Sequence, residues 1–196
     1  MDFFPPNSLH DRPDMHEFRN CWYVSHLLAF REQPLYPPTA DQAVVYRLLH
    51  IPTFQRPAVV RLSDIGGAWQ VVFKRSDGRM GYAGPLLGEV KRDLSWPQGK
   101  EFSRLLGRIG FWEMAPSSGS FGLDGSRAIL EGVRPGEYHL VDRWSPQGTP
   151  YAELVDFMLG LCEGVGDAPA KPSETIGSFE ELAKRFRPES GEDKPA

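Results

Sequence analysis

Cysteine is nearly missing from this chain: Cys21 and Cys162 are its only two, far apart and each inside an expected helix. That scarcity excludes a disulfide framework and a CxxC metal knuckle, and it leaves two reduced thiols that behave as small apolar side chains. No HExxH or paired-histidine spacing occurs either, and His10, His16, Cys21 and His26 do not share one helical face, so no metal site is expected. GxxxxGK[ST] and GxGxxG are both absent. Gly119, Gly122 and Gly125 recur every third residue, but they precede a strand instead of opening a helix, so no phosphate or dinucleotide cofactor is implied.

Positive charge is not in excess. A formal net charge of -4 argues against a broad grip on nucleic acid or anionic lipid, which depends on clustered Lys and Arg. No run approaches the length of a membrane span, and the opening MDFFPPNSLHDRPDM has neither the basic nor the long apolar part of a secretory signal. A cytoplasmic protein is the expectation.

What is present is an ordinary packed core, with 40% apolar residues and 12% aromatic ones. Three segments follow from the pattern: an arm over 1–13, an α+β domain over 14–164 with an antiparallel sheet and packed helices, and a tail over 165–196 rich in Pro, Gly and charge. Asp14 with Glu17 reads as a capping pair for a first helix, in which Phe18, Cys21, Trp22, Ser25, Leu28 and Ala29 form the sheet-covering stripe until Pro34. Strands are expected over 43–51, 57–64, 68–75 and 86–94, the second and third joined by Ile65-Gly66-Gly67. Ser95 and Gln98 form a capping box for a helix that Gly110 closes, and Phe111 and Trp112 then anchor its exit. Thr149 and Pro150 start a third helix, ended by Gly164. In the tail, Ser178 and Glu181 bracket a short helix whose Phe179, Leu182 and Phe186 could dock on this domain or on a partner.

The densest polar stretch is 123–146, LDGSRAILEGVRPGEYHLVDRWSP. Arg134-Pro135-Gly136-Glu137 has Pro and Gly where a type II turn needs them, so the two runs read as a hairpin. Val133 then faces Tyr138, and the pairs run back through Glu131 with Leu140, Ile129 with Asp142 and Arg127 with Trp144. One face carries Ile129, Val133, Tyr138, Leu140 and Trp144 with Glu131 and Asp142; the other carries Ala128, Leu130, His139, Val141 and Arg143. A nucleophile triad built on Glu131, His139 and Asp142 cannot converge in that register, and the two carboxylates read as polar residues of a solvated sheet face. Arg127 is placed for a cation–π contact with Trp144, while Arg143 is within reach of Glu131 or Asp124. Asp124, Arg127, Glu131, Tyr138, His139, Asp142, Arg143 and Trp144 are the candidate binding residues.

A charged KRDLS strand, a helix ending in GFW, LDG, a strand with E-G-V and a YHLVDRWSP segment follow one another in that order. This arrangement resembles a group of uncharacterised bacterial proteins, over residues 43–164. The resemblance implies that the hairpin belongs to the fold and carries no activity with it.

Two functional classes are expected. The first is a non-enzymatic protein-binding protein, for example an immunity-type or accessory protein of a bacterial conflict or secretion system, or a subunit of a larger assembly docked through Phe179, Leu182 and Phe186. The second is a small hydrolase-like enzyme using Glu131, His139 and Asp142, with Arg143 in the same pocket.

Overall fold

The computed structural model describes residues 2–117, 122 and 124–161. The tail helix with Phe179, Leu182 and Phe186, and also Cys162 and Gly164, lie outside the described residues.

Six strands form one antiparallel sheet: β1 (Val45–Pro52), β2 (Ala58–Ile65), β3 (Ala68–Ser76), β4 (Leu86–Asp93), β5 (Ser126–Arg134) and β6 (Glu137–Trp144). Their spatial order is β4-β3-β2-β1-β5-β6. The first four make the expected meander, and the hairpin then returns to pair β5 with β1, placing β1 in the interior between β2 and β5. A strand enclosed by neighbours on both edges and layers on both faces must be apolar almost throughout, and VYRLLHIP is buried at every position but His50.

Two helices cover one face. α2 (Trp96–Ile109) begins where the Ser95 N–H donates to Gln98 Oε1 at 3.1 Å, and it ends at Gly110 with φ 61°. Thr149 caps α3 (Pro150–Gly160), its Oγ1 accepting from Ala152 N–H at 3.2 Å. Phe102, Leu105, Tyr151, Leu154 and Met158 from these helices meet Tyr46, Leu48, Val60, Leu130 and Val141 of the sheet. Phe111 is buried just past α2, as an anchoring residue should be.

α1 (Pro13–Ala29) covers the other face, and it differs from expectation in two ways. Its N-cap is Arg12 and not Asp14, because Pro13, with its preset φ and no N–H to satisfy, occupies the first turn. Asp14 instead pairs with the Arg12 guanidinium on the surface. Second, the helix is rotated: Arg19, Tyr23, His26 and Leu27 are inside, whereas Phe18 is 40% and Leu28 59% exposed. The segment ahead of α1 packs on the same core, where Phe3, Phe4 and Leu9 join Tyr23, Leu27, Phe30, Leu49, Ile51 and Ile129. No helix of the described residues is long and apolar enough to cross a membrane.

Candidate functional site

The hairpin has the expected register, with Val133 opposite Tyr138, Glu131 opposite Leu140, Ile129 opposite Asp142 and Arg127 opposite Trp144. Gly136 turns the chain at φ 72°, and its N–H donates to Thr39 O at 2.9 Å. The face with Glu131 and Asp142 lies under α1. It is therefore not solvated, and both carboxylates are fully buried.

Buried charges need partners, and two clusters supply them. Asp142 accepts from Arg127 Nη1 at 3.0 Å, from the Tyr23 hydroxyl at 2.9 Å and from Arg19 Nη1 at 3.3 Å. Arg19 also donates to Leu9 O at 2.7 Å, tying the segment before α1 to the sheet. Arg127 lies 5.4 Å from the Trp144 ring centroid, the expected cation–π contact. Burial pushes the Asp142 carboxyl up, while Arg127 and Arg19 oppose that shift.

The second cluster spans the sheet. Tyr138 of β6 donates to Glu131 Oε1 of β5 at 2.9 Å, and Glu131 Oε2 takes Arg47 of β1 through Nε at 2.7 Å and Nη2 at 2.6 Å. Arg47 Nη1 lies 3.5 Å from Glu32, just past α1, and Glu32 receives Arg61 of β2 at 3.1 Å and Lys74 of β3 at 2.7 Å. Lys74 in turn lies 3.6 Å from Glu89 of β4. One line of charge thus touches all six strands and converges on a single carboxylate delivered by the turn after α1. Burial raises the Glu131 carboxyl and Arg47 opposes it.

Sequence reasoning singled out Glu131, Tyr138 and Asp142, but missed Arg19, Tyr23, Glu32, Arg47, Arg61 and Lys74. A signal for two of them exists: Arg47 and Arg61 each follow an apolar run, VVYRLL and AVVRL, at a position flanked by apolar residues on both sides.

His139 sits on the opposite face, as expected. Its Nε2 is 3.0 Å from Met114 O, its ring is 5.1 Å from that of Phe111, and burial lowers its pKa. Arg143 reaches neither Glu131 nor Asp124. It donates instead to Ala115 O at 2.6 Å and Pro116 O at 3.2 Å, because alternation places it on the face covered by α2 and α3, away from Glu131. Asp124 is exposed ahead of β5. Arg143 and Trp144 border a surface cavity of about 480 Å³ between the end of α2, the end of β6 and the start of α3. Among the described residues no group of three His, Cys, Asp or Glu is placed to hold a metal ion.

The segments quoted for the resemblance are joined by close packing. A Cβ on Gly132 of the E-G-V strand would stand 2.5 Å from the Phe111 ring of GFW and 2.9 Å from Tyr46. A Cβ on Gly125 of LDG would stand 2.1 Å from Ser145 Oγ and 2.9 Å from the Trp144 ring of DRWSP. Those glycines let a ring lie directly on the backbone.

The outward side of α1 is the remaining feature. Phe18 stacks on Trp22 with centroids 6.2 Å apart, and Trp22 Nε1 donates to Gly81 O at 2.6 Å. Gly81 is flanked by Met80 and Tyr82, which are themselves exposed, so α1 and the loop before β4 together present Phe18, Leu28, Met80 and Tyr82 to solvent. No protein-family profile, curated protein or solved structure matches this chain.

Proposed function

We propose that this chain is a non-enzymatic binding protein that acts through protein–protein contact, with the outward side of α1 as its contact surface. The observation that carries the reading is the rotation of α1. A helix with an apolar stripe normally buries it. This one buries Arg19, Tyr23, His26 and Leu27 and leaves Phe18 and Leu28 exposed, while the loop that Trp22 binds at Gly81 O exposes Met80 and Tyr82. Large apolar side chains exposed on neighbouring elements mark interaction surfaces.

The hydrolase-like alternative finds less support. Glu131 and Asp142 are sealed beneath α1 in ion clusters, and His139 is on the other side of the sheet. A general base must be within reach of substrate, and these carboxylates have no solvent access.

The narrower form of the reading is an immunity-type or accessory protein of a bacterial conflict or secretion system, working in the cytoplasm. Small size, an acidic balance and the lack of cofactor motifs support it. Phe179, Leu182 and Phe186 supply a second contact element in the same reading, which also covers a subunit of a larger assembly.

Affinity purification of the full chain from its native host, run in parallel with a Phe18→Glu/Leu28→Glu variant, tests the proposal. One stoichiometric partner retained by the parent chain and lost by the variant is expected. Equal retention by both, or no recurrent partner, overturns it.

A further inference from the structure

We propose that this chain forms a homodimer in which β4 pairs antiparallel with the β4 of a second copy, about a two-fold axis through Val90. Among the described residues β4 ends the sheet order, and every position from Leu87 to Asp93 except Val90 is exposed. An edge strand of this kind offers its backbone groups to another strand. At the other end of the sheet β6 is already covered in part, since Asp142 N–H donates to Pro116 O at 2.7 Å and Ser117 bridges to Asp142.

The direction of the backbone groups limits the registers. Leu94 N–H donates to Trp69 O of β3 at 2.8 Å. Successive residues of a strand aim their N–H and C=O to alternate sides, so Arg92 and Val90 face β3 with Leu94, whereas Asp93, Lys91 and Glu89 face outward. Outward groups meet outward groups only when the two-fold axis passes through a residue.

Charge then selects the residue. Charges on an edge strand ordinarily discourage pairing, but here their order permits one self-match. An axis through Val90 sets Glu89 opposite Lys91 of the second copy, and Lys91 opposite its Glu89, so each dimer gains both ion pairs beside backbone hydrogen bonds. Axes through Glu89, Lys91 or Arg92 would set that residue against itself, like charge facing like. Glu89 lies 3.6 Å from Lys74 of its own sheet and keeps 47% of its side chain exposed for a second lysine. Arg92 falls opposite Gly88, which has no side chain to obstruct it, and its Nη2 is held by Leu161 O at 2.5 Å. The β-bulge leaves Leu87 outside the regular ladder with β3, so the self-pairing run from Gly88 to Arg92 lies clear of it.

The ends of the strand match as well. Leu87 is 41% exposed at one end, and Trp96, just past the other, is 76% exposed. Antiparallel pairing brings the Leu87 end of each copy beside the Trp96 end of the other, where both can leave water. No residue of α1 takes part, so this inference does not depend on the contact surface proposed above.

Sedimentation velocity of the full chain in low salt, between about 5 and 500 µM, tests it. A monomer–dimer equilibrium is expected, with a dissociation constant of order 10–100 µM for so small an interface. Glu89→Lys and Lys91→Glu should each weaken association at least about tenfold. An equimolar mixture of the two variants should regain it, because a strand with both charges positive then faces one with both negative, and that regain also establishes that each variant is folded. Val90→Cys, which sets a thiol against its own copy, should cross-link into a covalent dimer on mild oxidation faster than the parent chain does. A chain that stays monomeric at about 500 µM, association indifferent to the charge variants, a mixture that stays monomeric, or Val90→Cys cross-linking no faster than the parent would each overturn the proposal.

Discussion

Glu131 illustrates what a single buried carboxylate does here. It holds the Arg47 guanidinium through two contacts and accepts from Tyr138, all without solvent. Removing it leaves Arg47 buried with Glu32 at 3.5 Å as its remaining carboxylate. Glu131→Ala should therefore cost about 3–5 kcal/mol, measured by urea unfolding. Arg47→Met combined with Glu131→Leu should recover part of that loss, because an apolar pair has no charge left to desolvate while the Tyr138 hydroxyl and Gln33 O lose their partners. A Glu131→Ala cost below about 1 kcal/mol would mean that water reaches the cluster. The positions of Glu131 and Tyr138 were legible in the hairpin, since alternation and the Pro-Gly turn are local. Their partner Arg47 was not, because it lies 84 residues away and meets Glu131 only through the β1–β5 pairing.

At the scale of the element, α1 and β5 show how a neighbour decides orientation. The spacing of Phe18, Cys21, Trp22, Ser25 and Leu28 is a valid helical stripe, and the helix forms where expected. Its rotation follows from the sheet beneath, where Asp142 and Arg127 call for Arg19 and Tyr23 in preference to Phe18. Leu28 is 59% exposed, so Leu28→Glu should change unfolding free energy by no more than about 0.5 kcal/mol, whereas adding Phe18→Glu also removes the ring contact with Trp22 and should cost about 0.5–1.5 kcal/mol more. A larger loss from Leu28→Glu alone in a denaturant titration would show that Leu28 packs against part of this chain. Gly132 makes the opposite prediction. Gly132→Ala places a methyl group against Phe111 and Tyr46, both held in the core, and should destabilise by about 1–3 kcal/mol in denaturant titration.

For the molecule as a whole, the buried His26 and the half-buried His50 weaken the fold toward acid. Burial pushes both His26 and His50 down to about 4 from 6.5. Between those values the unfolded chain binds protons that the folded one refuses, so stability falls as pH drops through that window, by about 1.4 kcal/mol per unit for each fully engaged histidine. Glu131 and Asp142 act in the opposite sense, because burial raises their pKa and the folded state holds those protons more tightly. The comparison that isolates one contribution is His26→Gln, whose amide can still donate to Gly81 O, the group His26 contacts at 3.0 Å. Its unfolding midpoint should drop less between pH 7 and pH 5 than that of the parent chain. Parallel pH profiles would remove His26 from the account.

By itself the sequence determined what depends on near neighbours: the three helices, the strands, the hairpin and its register, and the α+β class. Capping boxes, turn dipeptides and alternation act over a few residues, so they can be read in order along the chain. Tertiary structure alone decided that β1 lies in the interior of the sheet, that buried ion clusters accompany the apolar core joining α1 to that sheet, and that Phe18 and Leu28 face solvent. Those outcomes depend on pairing between distant strands, and the partner of a buried charge is not encoded beside it.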